Sequence, residues 1–321
     1  MHINKFDVIV VTPVFEDSIA SARLFLELRR VLGSNIFIVA VDDGSVKHPL
    51  DVCAIEDASL NGCVIKLRRN VGHQKAISIG LSYISEKINN NQSVIIMDSD
   101  GEDSPLSIPI LLKNLHLNKF DVIVAARKSR IESIRFKVFY WAYKYFFKAM
   151  TGQTINFGNF MALKKAAIRR LVASQDLSIH LAAAVLSAKM RIYVCQIDRG
   201  ARYDGNSKMN FVGLVLHGFK AMMIFAEDVL VRVGITCALV AALSIFGVFM
   251  AVLSKTLGFS TPGWFSIALG ILVIIFLQTG ALTLITLMLT GVMRNGANIA
   301  PISYDQIIDQ IIHTSDLTKF E

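Results

Sequence analysis

The chain has 321 residues, 53% of them hydrophobic and only 18% charged, with a formal net charge of +8. That length holds one domain of about 200 residues and a further element, and the apolar excess argues against an ordinary water-soluble protein. Its four cysteines, Cys53, Cys63, Cys195 and Cys237, lack paired spacing, which argues against a zinc or redox motif and suits a reducing, cytoplasmic setting.

The N-terminus, M-H-I-N-K-F-D, runs straight into V-I-V-V at 8–11. It lacks the basic start and apolar core of a signal peptide, so none is expected, and the first 230 residues are expected to stay on the side of synthesis. Strand-like apolar runs follow at 7–12, 36–41, 63–67, 94–98, 121–126 and 191–197, with helical patterns at 18–32, 73–88, 105–117, 164–173 and 178–188. This alternation predicts an α/β domain with a mostly parallel sheet. Ligands of such sheets sit beyond the C-terminal strand ends. The unusual residues gather there: Pro13 and Glu16 after the first strand, Asp42 and Asp43 after the second, Asn70 after the third, Asp98 and Asp100 after the fourth, Arg127 after the fifth.

The segment I-I-M-D-S-D-G-E-D at 95–103 is the most informative. Asp98 and Asp100, at i and i+2 after an apolar run, leave a strand end on one side. Two carboxylates so spaced can share a hard divalent cation, which in turn holds a diphosphate. V-D-D-G-S at 41–45 ends a strand in two carboxylates that suit a ribose or base edge, though an ordinary Asp-Gly turn reads the same way. In R-R-N-V-G-H-Q-K at 68–75, Asn70, His73 and Gln74 are placed to line the same cleft. Arg127 and Lys128 of A-A-R-K-S-R carry groups suited to phosphate oxygens. The loop R-Y-D-G-N-S-K at 202–208 brings Arg202, Ser207 and Lys208, either to a diphosphate or lipid phosphate or as a basic anchor beside the membrane.

Residues 127–148 are basic: Arg127, Lys128, Arg130, Arg135, Lys137, Lys144 and Lys148 against Glu132 alone. Within them, 131–150 has the pattern of an aromatic-rich amphipathic helix suited to a membrane interface, and 211–226 is a second such stretch. Charge-free runs at 233–254 and 264–293 each exceed the roughly 20 residues that cross a bilayer core. Arg232 precedes the first, Arg294 follows the second, and one Lys lies between, which orients both ends to the cytoplasm. The basic stretch beside such spans favours anionic headgroups or a phosphorylated substrate over nucleic acid. The tail, P-I-S-Y-D-Q-I-I-D-Q-I-I, reads as a short amphipathic helix or a frayed end.

Taken together, T-P-V-F-E-D (12–17), V-D-D-G-S (41–45), R-N-V-G-H-Q-K-A (69–76), M-D-S-D-G-E-D (97–103), A-R-K-S-R-I-E-S (126–133), F-G-N-F (157–160) and R-Y-D-G-N-S-K (202–208) resemble the membrane-anchored glycosyltransferases of family 2. The polyprenyl-phosphate type is nearest, the group of dolichyl-phosphate mannose synthase and the bacterial undecaprenyl-phosphate glucosyltransferases. The resemblance runs from about residue 7 to about 210 and extends in layout through the two spans. It implies a GT-A (Rossmann-like) fold and an inverting, metal-dependent transfer from a UDP- or GDP-sugar to a polyprenyl phosphate. Asp98, Asp100 and Glu102 would then hold Mg²⁺ or Mn²⁺. Pro13, Glu16, Asp42, Asp43, Asn70, Lys75 and Asp98 would line the nucleotide-sugar site, with Glu16 and Asp42 on the nucleoside. Arg127, Lys128, Arg202, Ser207 and Lys208 would bind phosphate, and Asp100, Asn159 and Arg127 would serve catalysis. The chain departs from the family in Glu102 for Gln, Ser104 for Pro and Asn159 for the Asp of G-D-F. A phosphate monoester with a second pKa of about 6 needs little help from a base, so Asn159 favours a phosphate acceptor over a sugar hydroxyl.

The expected layout is a catalytic domain over 1–210, a juxtamembrane helix over 211–232, a two-helix anchor over 233–294 and a cytoplasmic tail over 295–321. The expected setting is a bacterial inner membrane with the catalytic domain cytoplasmic. A homo-oligomer is left open. Transfer to a lipid-linked glycan is the alternative among enzymes. A catalytically silent nucleotide-sugar-binding scaffold and a small two-span channel subunit are the alternatives outside them.

Overall fold

The computed structural model describes residues 3–117, 119–127, 134–198, 200–203, 211–259, 261, 263–296 and 304–315. It divides into two compact units: residues 1–137, 155–224 and 301–321, and residues 138–154 with 225–300.

The first unit is built on one sheet. Among the described residues its strands are β1 (Val8–Val14), β2 (Ile36–Asp42), β3 (Asn61–Leu67), β4 (Ser93–Ile96), β5 (Val122–Arg127), β6 (Met161–Lys164), β7 (Ile192–Ile197) and β8 (Ile308–His313), in the order β7-β5-β6-β4-β1-β2-β3-β8. The pairs β1–β2, β1–β4, β2–β3 and β5–β7 are parallel, while β6 runs antiparallel to both β4 and β5. Runs such as V-I-V-V and I-F-I-V-A-V are β-branched or aromatic at all positions but Ala40 and buried along their whole length, as parallel strands covered on both faces require. Alternate residues serve opposite faces. Ile9, Val11, Phe37, Val39 and Ile65 pack with Ile77 and Leu81 of α3 (His73–Ser85), and with Ile168 of α6 (Lys165–Val172) and Leu181 of α7 (Leu181–Ser187). Val10, Ile36, Ile38, Val64 and Ile95 pack with Leu24, Phe25 and Leu28 of α1 (Ser18–Leu32), Ile55 of α2 (Cys53–Asp57) and Leu111 of α4 (Ile108–His116). Leu24, Phe25 and Leu28 share one helical face and are fully buried. Cutting Leu28 back to Ala would cost about 2–5 kcal/mol.

All six expected strands are present, and the α/β expectation holds. Two further strands were not expected. β6 has four residues, too few for a periodic signal. β8 lies in the tail read as an amphipathic helix or a frayed end, and it corrects that reading. Ile307, Ile308, Ile311 and Ile312 are spaced as in a helix, but the last three of these β-branched residues pair antiparallel with the β3 edge, Leu67 facing Ile308, Ile65 facing Ile311 and Val64 facing Ile312. A partner more than 200 residues away decides the conformation, which local spacing cannot show. Thr314 adds side-chain bonds to the backbone of Gly62. The tail therefore belongs to the unit that contains the sheet rather than standing apart.

α8 (Phe211–Ile224) also belongs to this unit, and non-helical Phe225 separates it from α9 (Ala226–Thr256). The second unit comprises α9, α10 (Trp264–Gly296) and most of α5 (Ile134–Thr151). A Cβ at Gly247 would meet Leu272 at 3.0 Å and one at Gly234 would meet Thr286 at 3.2 Å, so α9 and α10 run antiparallel with small residues allowing close approach. Phe147 of α5 meets Phe225 edge-on at 6.1 Å. With 31 and 33 residues, α9 and α10 are long and apolar enough to cross a membrane. Their apolar side chains face outward: Leu243, Phe249, Ile267 and Leu277 are all more than half exposed.

Candidate active site

The C-terminal ends of β1, β2 and β4 build the site. Asp42 closes β2 and organises the loop that follows: its Oδ1 accepts the Ser45 N–H at 2.9 Å and its Oδ2 the Leu50 N–H at 2.9 Å. Asp43 reaches the next loop, accepting the Val71 and Gly72 N–H groups at 2.7 and 2.9 Å. Burial raises its pKa above the ordinary carboxylate value against the pull of those bonds. Between the two loops stands Gly44, at φ +71, where a Cβ would lie 2.5 Å from the Arg69 carbonyl carbon. Only glycine permits both the backbone angle and that approach.

Glu16 adopts φ 50 just past β1. Its carboxylate accepts the N–H groups of Val46, Lys47 and His48 at 2.7, 3.0 and 2.7 Å, and those bonds, Val46 first, hold its pKa below the usual range. Glu16 and Asp42, expected at the nucleoside, and Asp43, expected in the nucleotide-sugar site, thus shape the surrounding loops with these carboxylates. Pro13 sits inside β1 opposite Val41. Asn70 and Lys75 are exposed, Lys75 in the first turn of α3.

The acidic motif after β4 folds on itself. The Asp98 N–H donates to Asp103 at 2.9 Å and the Glu102 N–H to Asp100 Oδ1 at 3.0 Å. Residues 200–203 lie along it: the Tyr203 N–H donates to the Asp100 carbonyl at 2.8 Å and the Gly200 N–H to the Glu102 carbonyl at 3.0 Å. Gly101, at φ +87, faces the Tyr203 ring, which a Cβ would meet at 2.7 Å. Arg202 Nη2 stands 2.8 Å from Asp100 Oδ2 and 3.3 Å from Glu102 Oε1. Asp98 turns instead to His73, whose Nε2 is 3.1 Å from its Oδ1. Among the described residues, no three carboxylate, imidazole or thiol groups converge on one cation position. The donors available are nonetheless carboxylate oxygens, which suit Mg²⁺ or Mn²⁺, and the Arg202 guanidinium marks where this pocket takes positive charge. The side chains of Asp98 and Asp100 offer the donor type that a hard divalent cation takes.

A polar relay adjoins Asp98. The Leu181 N–H donates to Gln74 Oε1 at 2.6 Å, and Gln74 Nε2 donates to Asn159 Oδ1 at 3.1 Å. Asn159 Nδ2 then faces His73 Nε2 at 3.0 Å. Burial opposes charging of His73, but Asp98, Asp103 and Asp43 together outweigh it and raise its pKa. The sequence placed His73 and Gln74 in the cleft, and their joining to Asn159 is new. So is a tilted ring pair, His180 and His217, with centroids 4.2 Å apart and planes inclined by 33°. Burial pushes His180 down to about 3 and also lowers His217. Tyr203, inside the R-Y-D-G-N-S-K string but given no role there, is the remaining addition. Arg127 ends β5; its side chain, and Lys128, Ser207 and Lys208, lie outside the described residues.

Known proteins bear on this arrangement. Residues 9–176 match the model of glycosyl transferase family 2. An uncharacterized glycosyltransferase of Synechocystis is 24% identical over 82% of this chain and 83% of its own length. The undecaprenyl-phosphate 4-deoxy-4-formamido-L-arabinose transferase of Salmonella paratyphi B is 25% identical over 64% of this chain and 63% of its own. Among solved structures, glucosyl-3-phosphoglycerate synthase from Mycobacterium tuberculosis superposes with a TM-score of 0.49 at 12% identity, covering 71% of this chain and 78% of that one. The family model spans more than half of the chain and contains the acid-bearing ends of β2 and β4. The chain therefore belongs to glycosyl transferase family 2: it is a glycosyltransferase with a GT-A-like α/β domain.

Proposed function

We propose that this glycosyltransferase moves one sugar from a nucleotide-sugar to a polyprenyl phosphate at a membrane surface, inverting the anomeric carbon. The observation that carries the proposal is that one chain joins acid-bearing strand ends to two outward-facing apolar helices long enough to cross a bilayer. The Salmonella relative, named as an undecaprenyl-phosphate sugar transferase, supports the acceptor class.

In this reading the sheet-bearing unit, residues 1–137 and 155–224 with β8, is the catalytic domain. Both ends of the α9–α10 hairpin face the cytoplasm of a bacterial inner membrane, as the placement of Arg232 and Arg294 supports. α5 carries the exposed Trp141 and Tyr145 beside Lys144 and Lys148. α8 carries the exposed Leu216, Phe219 and Met223 around Lys220. Each combines what an interfacial helix needs, apolar bulk for the acyl boundary and ammonium groups for anionic headgroups.

The loops held by Glu16, Asp42 and Asp43 form the nucleoside pocket. Asp98 and Asp100 would hold Mg²⁺ or Mn²⁺, which neutralises the departing diphosphate. Arg127, Lys128, Ser207 and Lys208 serve the phosphates of donor and acceptor. A lipid phosphate oxygen attacks the anomeric carbon as the bond to the nucleoside diphosphate breaks, and the diphosphate leaves with the electron pair. A dianionic monoester reacts without giving up a proton, so no carboxylate base is needed at position 159. Gln74 orients Asn159 as a hydrogen-bond donor, the polarity an anionic acceptor requires.

The test uses purified full-length protein in detergent with Mg²⁺ or Mn²⁺, undecaprenyl phosphate and labelled UDP- and GDP-sugars. Label from one donor should enter the organic phase as a single sugar on the lipid and be lost with chelator. Transfer only to a lipid-linked glycan, or nucleotide binding without transfer, would replace this reading by a glycan acceptor or a silent scaffold.

A further inference from the structure

We propose that His217 is a positioning residue: its ring holds His180 in the rotamer that caps α7, and α7 in turn orients the Gln74–Asn159 pair. The helix α8 thereby sets the polar relay of the cleft from its inner face. The inference rests on the reading of Asn159 as the group that meets an acceptor phosphate, and its first readout does not depend on that reading.

His217, Gly218 and Ala221 fall on one side of α8, where Gly218 and Ala221 are buried. Leu216, Phe219 and Met223 fall on the opposite side and are more than half exposed. The helix therefore turns His217 toward the domain and its apolar bulk outward. The inward ring lands on His180, with centroids 4.2 Å apart and planes inclined by 33°. Burial first, then the charges of His73 and Lys220, lower the His217 pKa, while Asp98 opposes them. His217 thus packs on the residue at one end of the relay and lies within electrostatic reach of His73 at the other.

His180 is the residue on which α7 begins. Its Nδ1 accepts the Ala183 N–H at 3.3 Å and its carbonyl accepts the Ala184 N–H at 2.9 Å. An accepting Nδ1 requires the neutral ring with its proton on Nε2, and burial keeps the ring neutral by pushing its pKa down to about 3. The cap bond is long and survives only while the side-chain torsions hold the ring in this rotamer. The His217 ring against it removes that freedom. The N–H of the next residue, Leu181, is the one that Gln74 Oε1 accepts at 2.6 Å. Without the His217 ring, the His180 side chain is free to turn and the first turn of α7 loses a cap. The Leu181 N–H then has no fixed place, and nothing selects one orientation of the Gln74 amide. A flipped amide presents oxygen to Asn159 in place of NH₂ and reverses the polarity of the relay.

The test compares the full chain in detergent as parent, His217→Leu and His217→Phe. Leu keeps the bulk and the helix without a flat ring, and Phe restores the ring. Hydrogen–deuterium exchange across 178–188 comes first. Exchange at the start of α7 should be about tenfold faster in His217→Leu and within about twofold of the parent in His217→Phe. Equal exchange in parent and His217→Leu overturns the inference whatever the acceptor. In the transfer assay, His217→Leu should raise KM for undecaprenyl phosphate about fivefold, with kcat and the Kd of the donor's nucleoside diphosphate within about twofold of the parent. His217→Phe should return KM to the parent value. A general loss of folded protein lowers the rate without this split. The final arm places His217→Leu in a Gln74→Glu background, where the relay has already lost its polarity. There it should change KM by less than about twofold. Effects that multiply, or an unchanged KM in the single variant, overturn positioning through Gln74. A parent that transfers no sugar to undecaprenyl phosphate fails the acceptor reading alone, and the exchange difference still decides the role of His217.

Discussion

Gln74 and Asn159 share one hydrogen bond of 3.1 Å, and its direction is set by a third group, the Leu181 backbone N–H. A backbone N–H only donates, so Gln74 must present its oxygen to Leu181 and its NH₂ to Asn159. Asn159 therefore accepts from Gln74 and turns its own NH₂ toward His73. Asn159→Asp replaces that donor with a carboxylate close to Asp98. The expected outcome is a rise in KM for polyprenyl phosphate of about tenfold, about 1.4 kcal/mol, with the nucleotide-sugar Kd unchanged by calorimetry. Gln74→Glu keeps the bond to Leu181 but cannot donate to Asn159, and should raise the same KM in the same direction. A fall in KM for either variant would show that the site wants an acceptor at position 159.

Gly44→Ala places a Cβ 2.5 Å from the backbone of Arg69 at a φ of +71. The Arg69–Asn70 backbone must move, and with it the Val71 and Gly72 N–H groups that Asp43 holds. Strain of this kind costs on the order of 1–3 kcal/mol. The variant is expected to lose at least about tenfold in affinity for the nucleoside diphosphate of its donor, UDP or GDP, and unaltered affinity would separate this loop from the donor site.

Ending the chain at residue 303 removes β8 and bares the β3 edge. An exposed, apolar edge strand invites pairing with other chains. The truncated protein should melt lower and aggregate in detergent, as followed by light scattering. A synthetic peptide covering 304–315 should partly restore its melting temperature. A truncated chain that melts like the parent would make the strand dispensable.

His180 is buried, its folded pKa near 3 against about 6.5 unfolded. A depressed folded pKa gives stability that is fully present above pH 6.5 and is lost as pH falls toward 3. Each unit below pH 6.5 should cost up to ~1.4 kcal/mol from this group, and His217 and His313 shift in the same direction. His180 Nδ1 also accepts the Ala183 N–H at 3.3 Å at the start of α7, a bond that a proton on Nδ1 would break. His180→Asn keeps a capping acceptor without a titrating group. It should lose less melting temperature between pH 7 and pH 5 than the parent, and equal losses would place the acid sensitivity elsewhere.

Much of this protein is written in short-range pattern. Alternating apolar strands and helices, carboxylates at strand ends and two charge-free runs each arise from residues near one another in sequence. Periodicity and composition therefore disclose the α/β sheet, the acid-bearing ends of β2 and β4 and the lengths of α9 and α10. Other features depend on partners brought together only by folding. Gln74 meets Asn159 across 85 residues and Leu181 across 107, Arg202 meets Glu102 across 100, and β8 joins β3 across 252 at Gly62 and Thr314. Arg202 reads as a phosphate ligand from its type and loop, and Glu102 as a cation ligand from the family resemblance, and tertiary structure pairs them with each other. The Ile pairs of 307–312 read as a helix until the unpaired edge of β3 supplies their hydrogen bonds. Residue chemistry fixes which groups can bind cations and anions, and packing decides which of them meet, because side-chain pairing depends on distance in space rather than along the chain.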